Sequence, residues 1–62
     1  MFEVTIKTDN AAFGEGFDEA QVEISRVLGQ VREQVELGWR SGRVTDSNGN
    51  VVGRFEYDEE GE

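Results

Sequence analysis

Asp46-Ser47-Asn48-Gly49-Asn50 sets three oxygen-bearing side chains at alternate positions, the opening of a calcium-binding loop. Such a loop needs glycine at its sixth position and a bidentate glutamate at its twelfth. Here those positions hold Val51 and Tyr57, so the run reads as a tight turn and no metal is expected. Ser25, Ser41 and Ser47 are the candidate nucleophiles, but the chain has no His and no Cys. Nothing is therefore placed to take a serine's proton, and thiolate chemistry is absent. Acid–base catalysis by carboxylates needs one acid raised by burial. Of the fourteen acids, only Asp46, at a hairpin end, comes near an expected core position. Gly14-Glu15-Gly16 precedes a helix as a phosphate loop would. Its third glycine is missing, no lysine follows, and Glu15, Asp18 and Glu19 would repel phosphate. The expectation is a protein with no catalytic residue, no cofactor and no enzymatic activity.

Charge is the strongest compositional signal. Fourteen acidic residues face six basic ones, for a net charge of −8 over 62 residues. That field repels phosphate backbones and anionic membranes and attracts basic partners. Direct nucleic-acid and membrane partners are thus not expected. The negative charge gathers in two places: Glu15, Asp18, Glu19 and Glu23 at a helix start, and Glu56, Asp58, Glu59, Glu60 and Glu62 at the C-terminus. Acids at a helix start complement the helix dipole. That accounts for Asp18 and Glu19, but does not require Glu15, nor Glu23 one turn above Glu19.

The elements that position these residues follow from periodicity. Phe2, Val4 and Ile6 alternate with Glu3, Thr5 and Lys7, which predicts a half-buried strand over 2–8. A loop over 11–16 follows, with Phe13 plugging one end of the core. The helix is predicted over 19–37, with Asp18 as N-cap, Gln21 as its capping-box partner, and Phe17 against Val22 as a hydrophobic staple. Ala20, Ile24, Val27, Leu28, Val31 and Val35 form the apolar stripe, and Gly38 fits the position after the C-cap. Gly29 costs about 1 kcal/mol relative to Ala in the helix interior. It is either tolerated or marks a close approach. Strands over 39–46 and 51–57 flank Asn48-Gly49, a hairpin signal that predicts a type I′ turn. The resulting register sets Val44 against Gly53, Gly42 against Phe55 and Arg43 against Arg54, with Val44, Val51 and Phe55 on the core face. Two facing arginines are unfavourable unless an acid is near.

The fold expected is α+β: a βαββ two-layer sandwich over 1–57, one amphipathic helix on a three-stranded, mainly antiparallel sheet. Residues 58–62 form an acidic tail too charged to pack, expected to be disordered. A chain this short forms one thin core, and the outer sheet face has no second layer. No apolar run approaches the roughly 18 residues of a membrane span, and no signal peptide is read in the opening residues. The expected compartment is cytoplasmic.

Asp9-Asn10-Ala11-Ala12-Phe13 and Asp46-x-Asn48-Gly49-Asn50-x-Val52-Gly53-x-Phe55, joined by the amphipathic helix, resemble segments of a group of short proteins encoded by phages, prophages and plasmids. The resemblance covers most of the chain, and its motifs are turn and hairpin signals. It implies a mobile element and the cytoplasm of a bacterial host, where small acidic phage proteins include anti-CRISPR and anti-restriction inhibitors.

The function expected is a non-catalytic acidic protein that occupies a basic nucleic-acid-binding surface of a host defence complex. Glu15, Asp18, Glu19, Glu23, Glu56, Asp58, Glu59 and Glu60 are its candidate partner-binding residues. Trp39, Arg43, Arg54 and Tyr57 are its candidate interface anchors, being of the types that dominate interfaces. The alternative is a structural accessory protein of a phage or mobile element, with no inhibitory role, that self-associates through its open sheet face or edges, for instance as a homodimer.

Overall fold

In a computed structural model the structure describes residues 1–59. The chain folds as β1 (Phe2–Ile6), a single 3₁₀ turn (Ala11–Phe13), α1 (Phe17–Glu36), β2 (Ser41–Thr45) and β3 (Val51–Tyr57). The strands form one antiparallel sheet in the order β1-β3-β2, with α1 on one face. This is the expected βαββ arrangement. Phe13, Ala20, Val27, Val31, Val44, Val52 and Phe55 are its buried apolar residues. Phe13 plugs the core end, as its place between strand and helix suggested.

The helix starts two residues earlier than predicted. Gly16 is the N-cap, in an extended conformation, and it makes no side-chain capping bond. Its carbonyl accepts from Glu19 N at 3.1 Å and Ala20 N at 2.9 Å. Asp18 is therefore inside the first turn, where its charge favours the dipole. Glu19, the third helical residue, reaches back to accept from Glu15 N at 3.0 Å, which satisfies one backbone donor ahead of the helix. The shift also dissolves the staple: Phe17 and Val22 are 72% and 71% exposed. At the other end the prediction holds. Gly38 has φ +98°, its N–H donates to Val35 O, and Trp39 N–H donates to Gln34 O, both at 3.0 Å. Nothing lies within 4 Å of a Cβ built on Gly29, so that glycine marks no close approach.

The hairpin turn differs from type I′, which needs positive φ at both central residues. Among the described residues no non-glycine residue has positive φ; in this loop Gly49 does, at +87°. Gly49 N–H bonds Asp46 O at 3.0 Å and Asp46 N–H bonds Asn50 O at 2.9 Å. The loop thus has three residues, a type I turn followed by a left-handed glycine. A second irregularity follows between Val44 and Thr45, where β3 carries an extra residue. That bulge turns Val52 inward and Val51 outward, at 6% and 60% exposure, which overturns the placement of Val51 on the core face. Beyond it the register returns to Val44↔Gly53, Arg43↔Arg54 and Gly42↔Phe55. Gly53 is required by packing: a Cβ there would run into the β1 backbone at Thr5 O and come to 3.0 Å from Ile6 Cα.

Helix side chains cover the outer edge of β2. Gln30 accepts from Thr45 N at 3.0 Å and donates to Thr45 O at 2.7 Å, while Gln34 donates to Arg43 O at 3.0 Å. The helix is fastened to the β2 side of the sheet.

Candidate functional site

The two acidic regions separate into engaged and available carboxylates. Glu15, Asp18 and Glu19 are exposed around the helix start, with Phe17 and Val22 beside them. Glu23 does not join that surface. It is buried, its carboxylate lies 2.9 Å from Arg26 Nη2, and it accepts from Ser47 N at 2.7 Å. The Arg26 guanidinium holds the Glu23 carboxyl below its ordinary range; burial opposes this and the Ser47 bond adds to it. Glu23 is therefore corrected from a partner-binding residue to a clasp between helix and hairpin.

Asp46, the second buried acid, sits in the turn that resembled a calcium loop. Burial pushes its carboxyl up, but bonds from Asn50, Asn10 and Asn48 outweigh that and leave it lowered. Its Oδ1 accepts from Asn48 N and Asn50 N, both at 2.9 Å, and its Oδ2 accepts from Asn10 Nδ2 at 2.7 Å. Asn10 in turn accepts from Ala12 N at 3.0 Å and caps the 3₁₀ turn that delivers Phe13. These carboxylate oxygens are filled by donors of the chain itself. Among the described residues no three acids are grouped to hold a metal ion, and no buried side-chain polar atom lacks a partner. The bonds from Asn10 and Ser47 were not anticipated. A sign of the Ser47 bond lies in the sequence, where Glu23 runs with Gln30 and Gln34 beside the apolar stripe at helical spacing.

The C-terminal acids follow the sheet. Glu56 lies opposite Glu3 and Ser41 on the outer face. Asp58 N–H extends the ladder to Met1 O at 2.8 Å, and Glu59 lies 3.7 Å from Arg40. Of the tail expected over 58–62, Glu60, Gly61 and Glu62 lie outside the described residues. Trp39 is exposed just after the helix, and Arg40 stands over the Tyr57 ring at 5.9 Å. Arg43 and Arg54 face each other on the outer sheet face. With Lys7, Asp9, Thr5, Asn10 and Val51 they line a shallow groove of about 440 Å³, in which three cations face one acid. No ion pair reaches either arginine among the described residues.

The structure thus brings together two surfaces of opposite sign. Exposed acids mixed with apolar side chains surround the helix start, and a basic groove lies on the uncovered sheet face. Among the described residues no helix is long and apolar enough to cross a membrane. No protein-family model, curated protein or solved structure matches this chain.

Proposed function

We propose that the chain is a non-catalytic binding protein of a phage or other mobile element. It uses its acidic helix start to occupy a basic, nucleic-acid-binding surface of a bacterial host defence complex of the CRISPR type. One observation carries the reading. Phe17 and Val22, both more than two-thirds exposed, stand among Glu15, Asp18 and Glu19 on a rigid helix end. Negative charge steers the approach to a basic surface, and apolar side chains at its centre slow release. The net charge of −8 favours such encounters and disfavours direct contact with nucleic acid.

The test is a titration of the chain into a purified guide-loaded effector, with target-DNA binding as the readout at low and high salt. The reading expects loss of DNA binding that weakens as salt rises, and no gel shift of DNA by the chain alone. An effector unaffected at low salt counts against it, as does a chain that itself shifts DNA.

A further inference from the structure

The two edges of the sheet differ. Helix side chains bond the outward carbonyl of Arg43 and both outward backbone groups of Thr45 along β2. β1 has no such cover. Lys7 N–H donates to Val52 O and Asp58 N–H to Met1 O, so odd-numbered residues of β1 bond β3. The N–H and C=O groups of Phe2, Val4 and Ile6 therefore face outward, and nothing among the described residues bonds them. The same residues carry the apolar side chains of β1. Because the helix is fastened toward β2, Phe2 and Val4 remain partly exposed, as do Leu28 and Val35. An unpaired edge beside exposed apolar side chains is a template for an added strand.

We propose that a second copy of this chain supplies that strand. β1 pairs antiparallel with its counterpart about a two-fold axis at Thr5, joining two three-stranded sheets into one of six. The charges of β1 select this partner and this register. Glu3 and Lys7 stand two residues to either side of Thr5, on the outer face. About Thr5, each Glu3 meets the Lys7 of the other copy, and each Val4 meets an Ile6. Val4 and Ile6 both point their backbone groups outward, so they can exchange ladder bonds. Moving the axis to Val4 sets Glu3 against Thr5 and loses both charge pairs. A shift of a single residue would turn the apolar side chains to the wrong face. The symmetry of Glu3, Thr5 and Lys7 has use only against another copy of the same strand. One five-residue strand per copy buries far less than the roughly 800 Å² per partner of a standard interface. The dimer is therefore weak and reversible.

The test is analytical ultracentrifugation of the full chain from about 10 µM to about 1 mM, the range in which an interface this small is populated. Wild type is expected to dimerise. Glu3→Lys and Lys7→Glu each place like charges opposite one another and should weaken association about tenfold. An equimolar mixture of the two variants restores both charge pairs and should recover the dimer. Neither change threatens the monomer: Glu3 faces Glu56 across β3, and Lys7 has no ion pair among the described residues. Val4→Pro removes an outward N–H and should abolish dimerisation while circular dichroism stays native. The proposal is overturned by a wild-type chain monomeric throughout, by a dimer indifferent to all three variants, or by a mixture that stays as weak as its components. Capture of only a foreign strand at this edge overturns it as well.

Discussion

Asn10 and Asp46 stand 36 positions apart in the chain and 2.7 Å apart in the fold, Nδ2 of one donating to Oδ2 of the other. The bond joins the turn after β1 to the turn between β2 and β3. Each residue also orders its own turn: Asn10 bonds Ala12 N, and Asp46 bonds Asn48 N and Asn50 N. Two local turn motifs thus act as one tertiary contact, closing the end of the core that Phe13 fills.

Removing the link should loosen both turns. Asn10→Ala loses the Ala12 cap and leaves one Asp46 lone pair with fewer donors. A loss of about 1–2 kcal/mol is expected, read as a melting point lower by about 5–15 °C in a domain of this size. An unchanged melting point would show that the two turns hold independently.

Acid should weaken the same network. Asp46 and Glu23 both have carboxyls lowered in the folded chain. Between those values and the ordinary carboxylate range near 4, the unfolded chain binds more protons, so stability rises with pH there. Their contribution is complete above the unfolded values and is lost as pH falls through the folded ones. Protonating the exposed acids of a chain at −8 relieves repulsion and acts in the opposite direction. The difference between wild type and Asp46→Asn isolates the network. The gap between their denaturation midpoints should be full and level above about pH 4 and narrow progressively as pH falls below it. A gap independent of pH would mean that Asp46 contributes shape rather than charge.

The hairpin register was legible in the sequence, but for a reason that could not be read there. Asn48-Gly49 implied a two-residue loop; the loop has three, and the extra residue at Val52 restores the register beyond it. Two adjacent valines give no sign of which turns inward. The helix end was legible because Gly38 carries a backbone requirement. The helix start was not, because Gly16 caps without a side chain and Asp18 with Gln21 imitates a capping box. Glu23 was placed on the surface by its charge alone, although it lies three residues from Ala20 and four from Val27, both buried.

The turn itself makes a sharp contrast. Gly49 sits at φ +87° in open space, so Gly49→Val should cost more than about 1 kcal/mol through backbone strain alone. Asn48 has negative φ, so Asn48→Ala should stay within about 0.5 kcal/mol. Equal losses at the two positions in chemical denaturation would restore the type I′ turn.

Gly29 offers a gain. It lies inside α1 with no neighbour within 4 Å of a built Cβ. Gly29→Ala should stabilise by about 1 kcal/mol, seen as a higher denaturation midpoint. A loss would mean that something packs against this turn of the helix.

The docking surface can be separated from the fold, and the choice of variants follows from which carboxylates are engaged. Reversing Glu23 would place a cation beside Arg26 and strip Ser47 N of its acceptor, so any loss of binding would report unfolding. Glu19 is compromised in the same way by its bond from Glu15 N. Asp18 is free of the capping role that the sequence suggested, and the Glu15 side chain holds no ion pair among the described residues. Glu15→Lys with Asp18→Lys should therefore slow association and flatten its dependence on salt, at the cost of the Asp18 charge at the helix start, about 1 kcal/mol. Phe17→Ser should leave the association rate near wild type and speed release, because an exposed apolar side chain acts after contact. Both sets are measured against the guide-loaded effector by surface plasmon resonance, with circular dichroism as the control for folding. Truncation after residue 57 removes four acidic residues without touching the helix and should mainly lower the association rate. If truncation abolishes binding while the helix-start variants bind normally, the docking surface is the C-terminal acids. If none of the three matters, the basic groove of Lys7, Arg43 and Arg54 becomes the surface to test.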